Sequence, residues 1–286
     1  LYVSPIAPQC GAEQVQAGPH AASIRPGQLP EAPMDHPGFE FAIDGHVARI
    51  TLDRPERHNA LGAAEIAGLR AVLDGLDDDP RVRVLLLTGR GESTFCSGAY
   101  LAEMASGAMS GELFSSLTDS LAGLDMPTVC ALNGNAFGGG AELALCCDYR
   151  IGVEGMRLRV PAARIGLCYP LAGLHRYVSK LGLSTAKRIL VAAEELDADT
   201  LVAIGFLQRT VPRERLPAEA GAFAAARATL APLAVRAMKR LLTQIAAGNL
   251  DPLAAEQAIG ACNESADLQE GLRAQREKRP PVLEGR

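Results

Sequence analysis

Two near-continuous apolar runs, VRVLLLTG at 82–89 and PTVCALNG at 127–134, each end in glycine. A strand with one wetted face alternates polar and apolar residues. A run without alternation is a strand covered on both faces. Helices supply such a cover, and helical spacing appears where it is needed: AAEIAGLRAVLDGL before the first run and ELFSSLTDSLAGL between the two. Strands alternating with helices predict an α/β fold around a buried sheet. FEFAIDGHVARITL, with Asp44-Gly45 between two alternating segments, predicts a hairpin at the start of the folded part. DYRIGV reads as a further strand and FLQRTVP as the last.

From about residue 172 helical patterns dominate: STAKRILVAA, LPAEAGAFAAARATLA, PLAVRAMKRLLTQIAAG and one long amphipathic stretch, PLAAEQAIGACNESADLQEGLRAQREKR. A long amphipathic segment needs a surface to lie on, within the chain or on another subunit. The expected organisation is a tail over 1–37, an α/β core over 38–225 and a helical C-terminal region over 226–286. The first 33 residues hold six prolines and little apolar pattern, which predicts disorder. They lack the apolar stretch of a secretory signal and carry only Arg25 toward a presequence; Met34 is an alternative start.

Composition excludes partners more than it names one. Apolar residues make up 48% and charged residues 21%, which suits a soluble domain with a large core. A net charge of −5 argues against nucleic acid and anionic membrane, which both select a positive surface. No apolar run is long enough to span a bilayer. Seven cysteines are scattered without a C-x-x-C pair, so reduced thiols in a reducing compartment, the cytoplasm, are expected, and no zinc site.

Chemistry concentrates at two glycine-bearing turns, each following a buried strand: FCSGAYL at 95–101 and GGGAEL at 138–143. Glycine permits close approach of backbone to a ligand and a positive φ. A helix opening at Gly138–Gly140 would present free N–H groups. Two such donors on one point make an oxyanion hole. The same triplet also fits a tight turn or a close helix–sheet contact. No GK[ST] follows it and the G-x-G-x-x-G spacing fails, so phosphate-loop and dinucleotide readings are set aside. Glu142, in an apolar run, fits either a favourable charge at a helix start or a general acid/base beside a bound carbonyl.

LDRPERHNAL, FCSGAYL, NGNAFGGGAELALCCDYRIG, IGFLQRTVP and APLAVRAMKRLL occur in order across roughly residues 38–280, and together they resemble the crotonase (enoyl-CoA hydratase/isomerase) family. The resemblance implies a spiral of ββα turns with a helical C-terminal oligomerisation region, assembled as a homotrimer or a dimer of trimers. It implies an acyl-CoA thioester substrate and no metal or redox cofactor. The backbone donors that hold the thioester enolate fall on Ala99 and Gly139. Gly138 and the stretch Ala99, Tyr100, Leu101 and Ala102 fall beside the acyl and pantetheine arm. Arg57 and His58 fall near the nucleotide end of CoA, where a solvated basic loop is the alternative. Lys239 has a CoA phosphate or plain helix surface as its two readings.

Of the two glutamates that hydratases of this family use, Glu142 matches the first. The second belongs to a Pro-Glu pair, and here VPAARIGL places Ala162 after Pro161. GLCYPLAGLHR at 166–176 resembles the corresponding stretch of methylmalonyl-CoA decarboxylase, with Tyr169 and His175 in the matching places. The catalytic candidates are Glu142 as acid/base and Tyr169, whose phenol either positions a departing carboxylate or packs the pocket wall. Three readings follow. The first is an enoyl-CoA hydratase/isomerase. The second is a decarboxylase of a malonyl-type CoA ester. The third, kept open by Ala162, is a non-catalytic acyl-CoA-binding protein of the same fold.

Overall fold

The computed structural model describes Leu29 and residues 34–286. The predicted disorder of the first 33 residues lies, Leu29 apart, outside the described residues. Strand β1 (Met34–His36) begins inside the stretch assigned to the tail and pairs with β2 (Phe39–Asp44). β2 and β3 (Val47–Leu52) form the predicted hairpin, with Asp44 still paired to Val47 and Gly45 at φ +56° in the turn.

The two apolar runs become β4 (Val84–Gly89) and β6 (Thr128–Leu132), and both are buried almost throughout. A seven-stranded sheet forms in the order β1-β2-β3-β4-β6-β8-β11, with β8 at Tyr149–Val153 and β11 at Arg209–Val211. From β3 to β11 it is parallel. A second sheet has the order β10-β9-β7-β5, built from β5 (Thr94–Cys96), β7 (Asn135–Phe137), β9 (Arg157–Arg159) and β10 (Leu196–Asp197). The chain thus visits the large sheet and then the small one at β4 and β5, β6 and β7, and β8 and β9, which is the expected ββα spiral.

Helices fill the returns. α1 (Ala63–Leu76) buries Ile66, Leu69, Val72, Leu73 and Leu76, a helical stripe. α2 (Leu101–Ser106) is a short exposed segment, and α3 (Gly111–Gly123) packs Phe114, Leu117 and Leu121 inward. α4 (Gly139–Cys146) is buried along nearly its whole length. α5 (Leu171–Leu190) is broken at Gly182, whose φ of +77° ends one helical run and starts the next. α6 (Ala198–Ala203) leads to β11, and α7 (Leu216–Ala228) lies across β4 and β6. α7 runs through residue 225, so the boundary expected there falls within a helix.

The long amphipathic stretch is two helices, α9 (Pro252–Asn263) and α10 (Ala266–Glu277). Ser265 separates them because its Oγ accepts from Leu268 N–H at 3.1 Å and caps the second. α8 (Pro232–Ala247) is tied to the core by Arg236 to Asp77, Lys239 to Asp148 at 2.6 Å and Arg240 to Asp125. Lys239 also donates to Met126 O at 2.7 Å; it is a structural cation here, not a free surface one.

Candidate active site

The loop after β3 sets the first wall. His58 and Asn59 both take left-handed backbone, with φ near +54° and +52°. Buried Asn59 donates Nδ2 to Phe95 O at 3.0 Å and to Thr94 O at 3.1 Å, and its Oδ1 accepts from Arg54 N–H. This side chain staples the loop to β5. It brings Leu61 alongside Ala99 as a single parallel bridge. Leu61 N–H donates to Gly98 O and Tyr100 N–H donates to Leu61 O, both at 2.8 Å. A parallel bridge of this kind engages the groups flanking Ala99 and turns its own N–H to the opposite side.

Each glycine at the second turn answers a different constraint. Gly138, the N-cap of α4, has φ +51°. A Cβ on Gly139 would meet Phe114 Cζ at 2.5 Å, and one on Gly140 would overlap Cys96 O. Gly98, with φ +87°, completes the set: its Cβ would overlap Gly139 N. The peptide carrying the Ala99 N–H therefore lies against the Gly139 amide. Gly139 is the first residue of α4, so its N–H has no intrahelical acceptor. Among the described residues neither N–H has a hydrogen-bond acceptor.

Glu142 lies one turn further along α4 and is buried at 3% exposure. It caps no N–H. Its Oε1 accepts from Arg176 Nη1 at 2.6 Å, and the same nitrogen reaches Thr118 Oγ1 at 3.1 Å. Asp119 takes the other arm of Arg176. A buried charge needs such a partner, and α5 supplies it. Behind the carboxylate, a Cβ on Gly173 would meet Glu142 Cδ at 3.1 Å and Tyr169 Cε1 at 2.5 Å. The Tyr169 ring stands perpendicular to that of Tyr177, with centroids 5.8 Å apart. Burial, then each other's proximity and that of Glu142, holds the Tyr169 phenol well above its ordinary pKa; burial and Glu142 do the same for Tyr177. The Tyr169 hydroxyl faces both the Tyr177 hydroxyl and the Glu142 carboxylate.

The α4 helix is also held at its far end. Lys180 Nζ donates to Leu145 O at 2.7 Å and Cys147 O at 3.3 Å, and Arg150 Nη1 donates to Cys147 O at 2.5 Å. These cations satisfy C-terminal carbonyls and match the helix dipole.

The other residues expected at the site sort by position. Arg57 lies 5.1 Å over the Tyr100 ring, which places a nucleotide-end candidate against an acyl-arm candidate. Leu101 and Ala102 are exposed at the start of α2. His175 is on the exposed side of α5, away from the buried face that carries Gly173 and Tyr177. Ala162 is buried, so no carboxylate stands at the position of the second glutamate. Asn59 and Arg176 do not stand out in the sequence. The HN pair in LDRPERHNAL is a signal for the first; the second pairs with a residue 34 positions away and leaves none.

A sequence profile described as enoyl-CoA hydratase/isomerase matches residues 42–286. The crotonyl-CoA hydratase of Syntrophomonas wolfei is 30% identical over 240 residues, which is 82% of this chain and 92% of that protein. The short-chain-enoyl-CoA hydratase of Clostridium acetobutylicum is 30% identical, over 82% and 93% of the two chains. Among solved structures, an enoyl-CoA hydratase/carnithine racemase from Magnetospirillum magneticum superposes with a TM-score of 0.83 at 27% identity, covering 89% of this chain and 98% of its own. With an unspent pair of backbone donors, a buried carboxylate one turn away and the alternating two-sheet spiral, this chain belongs to the enoyl-CoA hydratase/isomerase family, the crotonases.

Proposed function

We propose that the chain is an acyl-CoA enzyme of the hydratase/isomerase type, acting on an enoyl-CoA through a thioester enolate. The observation that carries this reading is the pair of N–H groups at Ala99 and Gly139, neither with an acceptor, set against each other by Gly98. A thioester oxygen placed between them gains two donors as charge develops on it. Each such donor is worth about 3–4 kcal/mol in the transition state. Glu142, on the same helix as one donor, takes and returns the proton at carbon. Its Oε1 is fixed by Arg176, and the Tyr169 hydroxyl lies beside the carboxylate.

Ala99, Tyr100, Leu101 and Ala102 then line the acyl and pantetheine arm with Gly138, and Arg57 on the Tyr100 ring receives the nucleotide end. Tyr169 is the polar wall beside Glu142. One carboxylate suits moving a proton between two carbons of an enoyl chain, and Ala162 makes water addition slow. The relatives named as crotonyl-CoA and short-chain-enoyl-CoA hydratases support an unsaturated acyl-CoA, and nothing comparable supports the decarboxylase or the non-catalytic reading.

The exposed apolar side chains of α8 and α9 suit assembly as a homotrimer or a dimer of trimers. Buried unpaired thiols at Cys96, Cys130, Cys146 and Cys147 suit the cytoplasm. Among the described residues no helix is long and apolar enough to cross a membrane. The reading is tested with crotonyl-CoA, a 3-enoyl-CoA and butyryl-CoA in D2O, product and label followed by mass spectrometry. Enolate chemistry requires deuterium at the α-carbon of butyryl-CoA, and its absence removes the reading.

A further inference from the structure

Strand β4 serves two faces of the large sheet. Leu85 and Leu87 turn toward α3 and α4, where Leu117 and Leu143 meet them. Leu86 and Thr88 turn the other way. With Leu216 and Ala220 of α7 they bound a cavity of about 270 Å³. The cavity thus lies across the sheet from α4 and its Glu142. Three charged side chains complete its lining: Arg49 of β3, Arg213 just ahead of α7, and Glu92 in the loop after β4.

Arg49 is half-buried in the middle of β3, opposite Leu86. Among the described residues its guanidinium has no carboxylate or carbonyl to donate to. Arg213 donates Nη1 to Asn133 O, and it too has no anionic partner. Glu92 is exposed at the rim and forms no ion pair with either arginine. Two guanidiniums on one cavity, one of them half-buried and neither neutralised, select an oxyanion. Thr88 is not free to join them, because its hydroxyl is given to Ala131 O at 2.8 Å.

We propose that this cavity is a second ligand site, separate from the acyl-CoA site, and that it takes hydrogen phosphate. Arg49 and Arg213 donate to the bare phosphate oxygens. Glu92 is an acceptor, so it welcomes an ion with an O–H to give and repels one without. Inorganic phosphate keeps at least one O–H at neutral pH, and sulfate keeps none. The lining therefore separates two ions of the same shape. The occupant also has something to hold. Asn133 fastens the loop after β4, giving Nδ2 to Gly91 O at 2.8 Å and accepting from Gly89 N–H at 3.1 Å. An ion between Glu92, Arg49 and Arg213 joins that loop to β3 and to the segment before α7, and stabilises the folded state by mass action.

The experiment titrates the parent, Arg49→Gln and Glu92→Gln with radiolabelled inorganic phosphate by equilibrium dialysis, with chloride holding the ionic strength constant. Sulfate and CoA serve as competitors. Thermal midpoints and deuterium uptake by butyryl-CoA in D2O are followed alongside. The parent should bind one phosphate saturably, and its midpoint should rise with phosphate concentration. Arg49→Gln should bind at least tenfold more weakly, the effect of losing one charged hydrogen bond. Sulfate should leave the label on the parent and displace it from Glu92→Gln. Deuterium uptake should stay at the parent's level in both variants, because neither residue touches the acyl-CoA site. Absence of saturable binding overturns the proposal, and so does equal binding by a folded Arg49→Gln. Sulfate competing as well as phosphate in the parent marks an unselective basic surface and overturns it too. Displacement by CoA, a phosphomonoester, would place the ion at the substrate's own site and overturn the separate one.

Discussion

A methyl group at position 140 would overlap the Cys96 carbonyl oxygen, where only backbone stands to give way. Gly140→Ala should therefore push α4 off β5. A loss of about 1–3 kcal/mol in denaturant unfolding is expected, as for an overpacked core, together with loss of turnover. Glu142→Gln keeps shape and should keep the fold, while proton transfer falls about 10²–10⁴-fold in α-deuterium uptake. Full uptake by a folded Glu142→Gln would return the carboxylate to the role of a helix-start charge. Ala162→Glu should raise kcat/KM for crotonyl-CoA hydration, and no gain in a folded variant would show that the missing glutamate is not what limits the reaction.

Cys96 gives a pH dependence. Burial pushes its thiol from 9.0 up to about 12. The unfolded chain then ionises this thiol first, so the folded state binds more protons above pH 9. The stabilisation is complete below pH 9 and is lost as pH rises from about 9 to 12, by up to about 1.4 kcal/mol per unit. Unfolding free energies at pH 8 and 10.5 should diverge less in Cys96→Ala than in the parent. Of these positions, the glycines and Glu142 are visible in the sequence because three flexible residues and a charge interrupt an apolar run. Asn59 shows only through the HN pair of LDRPERHNAL, and Arg176 acts through folded proximity, which no local pattern encodes.

At the scale of elements, α4 joins the glycine turn to a C-terminus held by Lys180 and Arg150. Lys180→Met removes the ammonium donor from Leu145 O and Cys147 O. A loss of about 0.5–2 kcal/mol is expected from thermal unfolding, with Arg150 keeping the helix formed. The strands of the large sheet are legible because burial on two faces or strict alternation leaves a period. β5, β7, β9 and β10 hold two or three residues each, too few to show one. The first half of α5 shows only as a motif, since its start carries tyrosine, proline and glycine. The break between α9 and α10 lies inside an unbroken amphipathic pattern, and only the Ser265 cap marks it.

For the whole molecule, the C-terminal helices leave Met238, Leu242, Ile245, Leu253 and Ile259 exposed, Leu242 at 66%. Side chains of this kind on consecutive helices suit the proposed assembly. Sedimentation at micromolar concentration should report a species larger than one chain, and Leu242→Glu with Ile245→Glu should shift it toward the monomer. A parent that sediments as a monomer contradicts the assembly.

The single-rung bridge at Ala99 carries a consequence for solvent isotope labelling of the backbone. Its amide and that of Gly139 are flanked by buried strands, yet neither is locked by an acceptor. In an otherwise slow-exchanging core these two amides should take up deuterium early in the free protein. A thioester oxygen seated between them would slow both at once, a paired protection that reports occupancy of the site without any turnover.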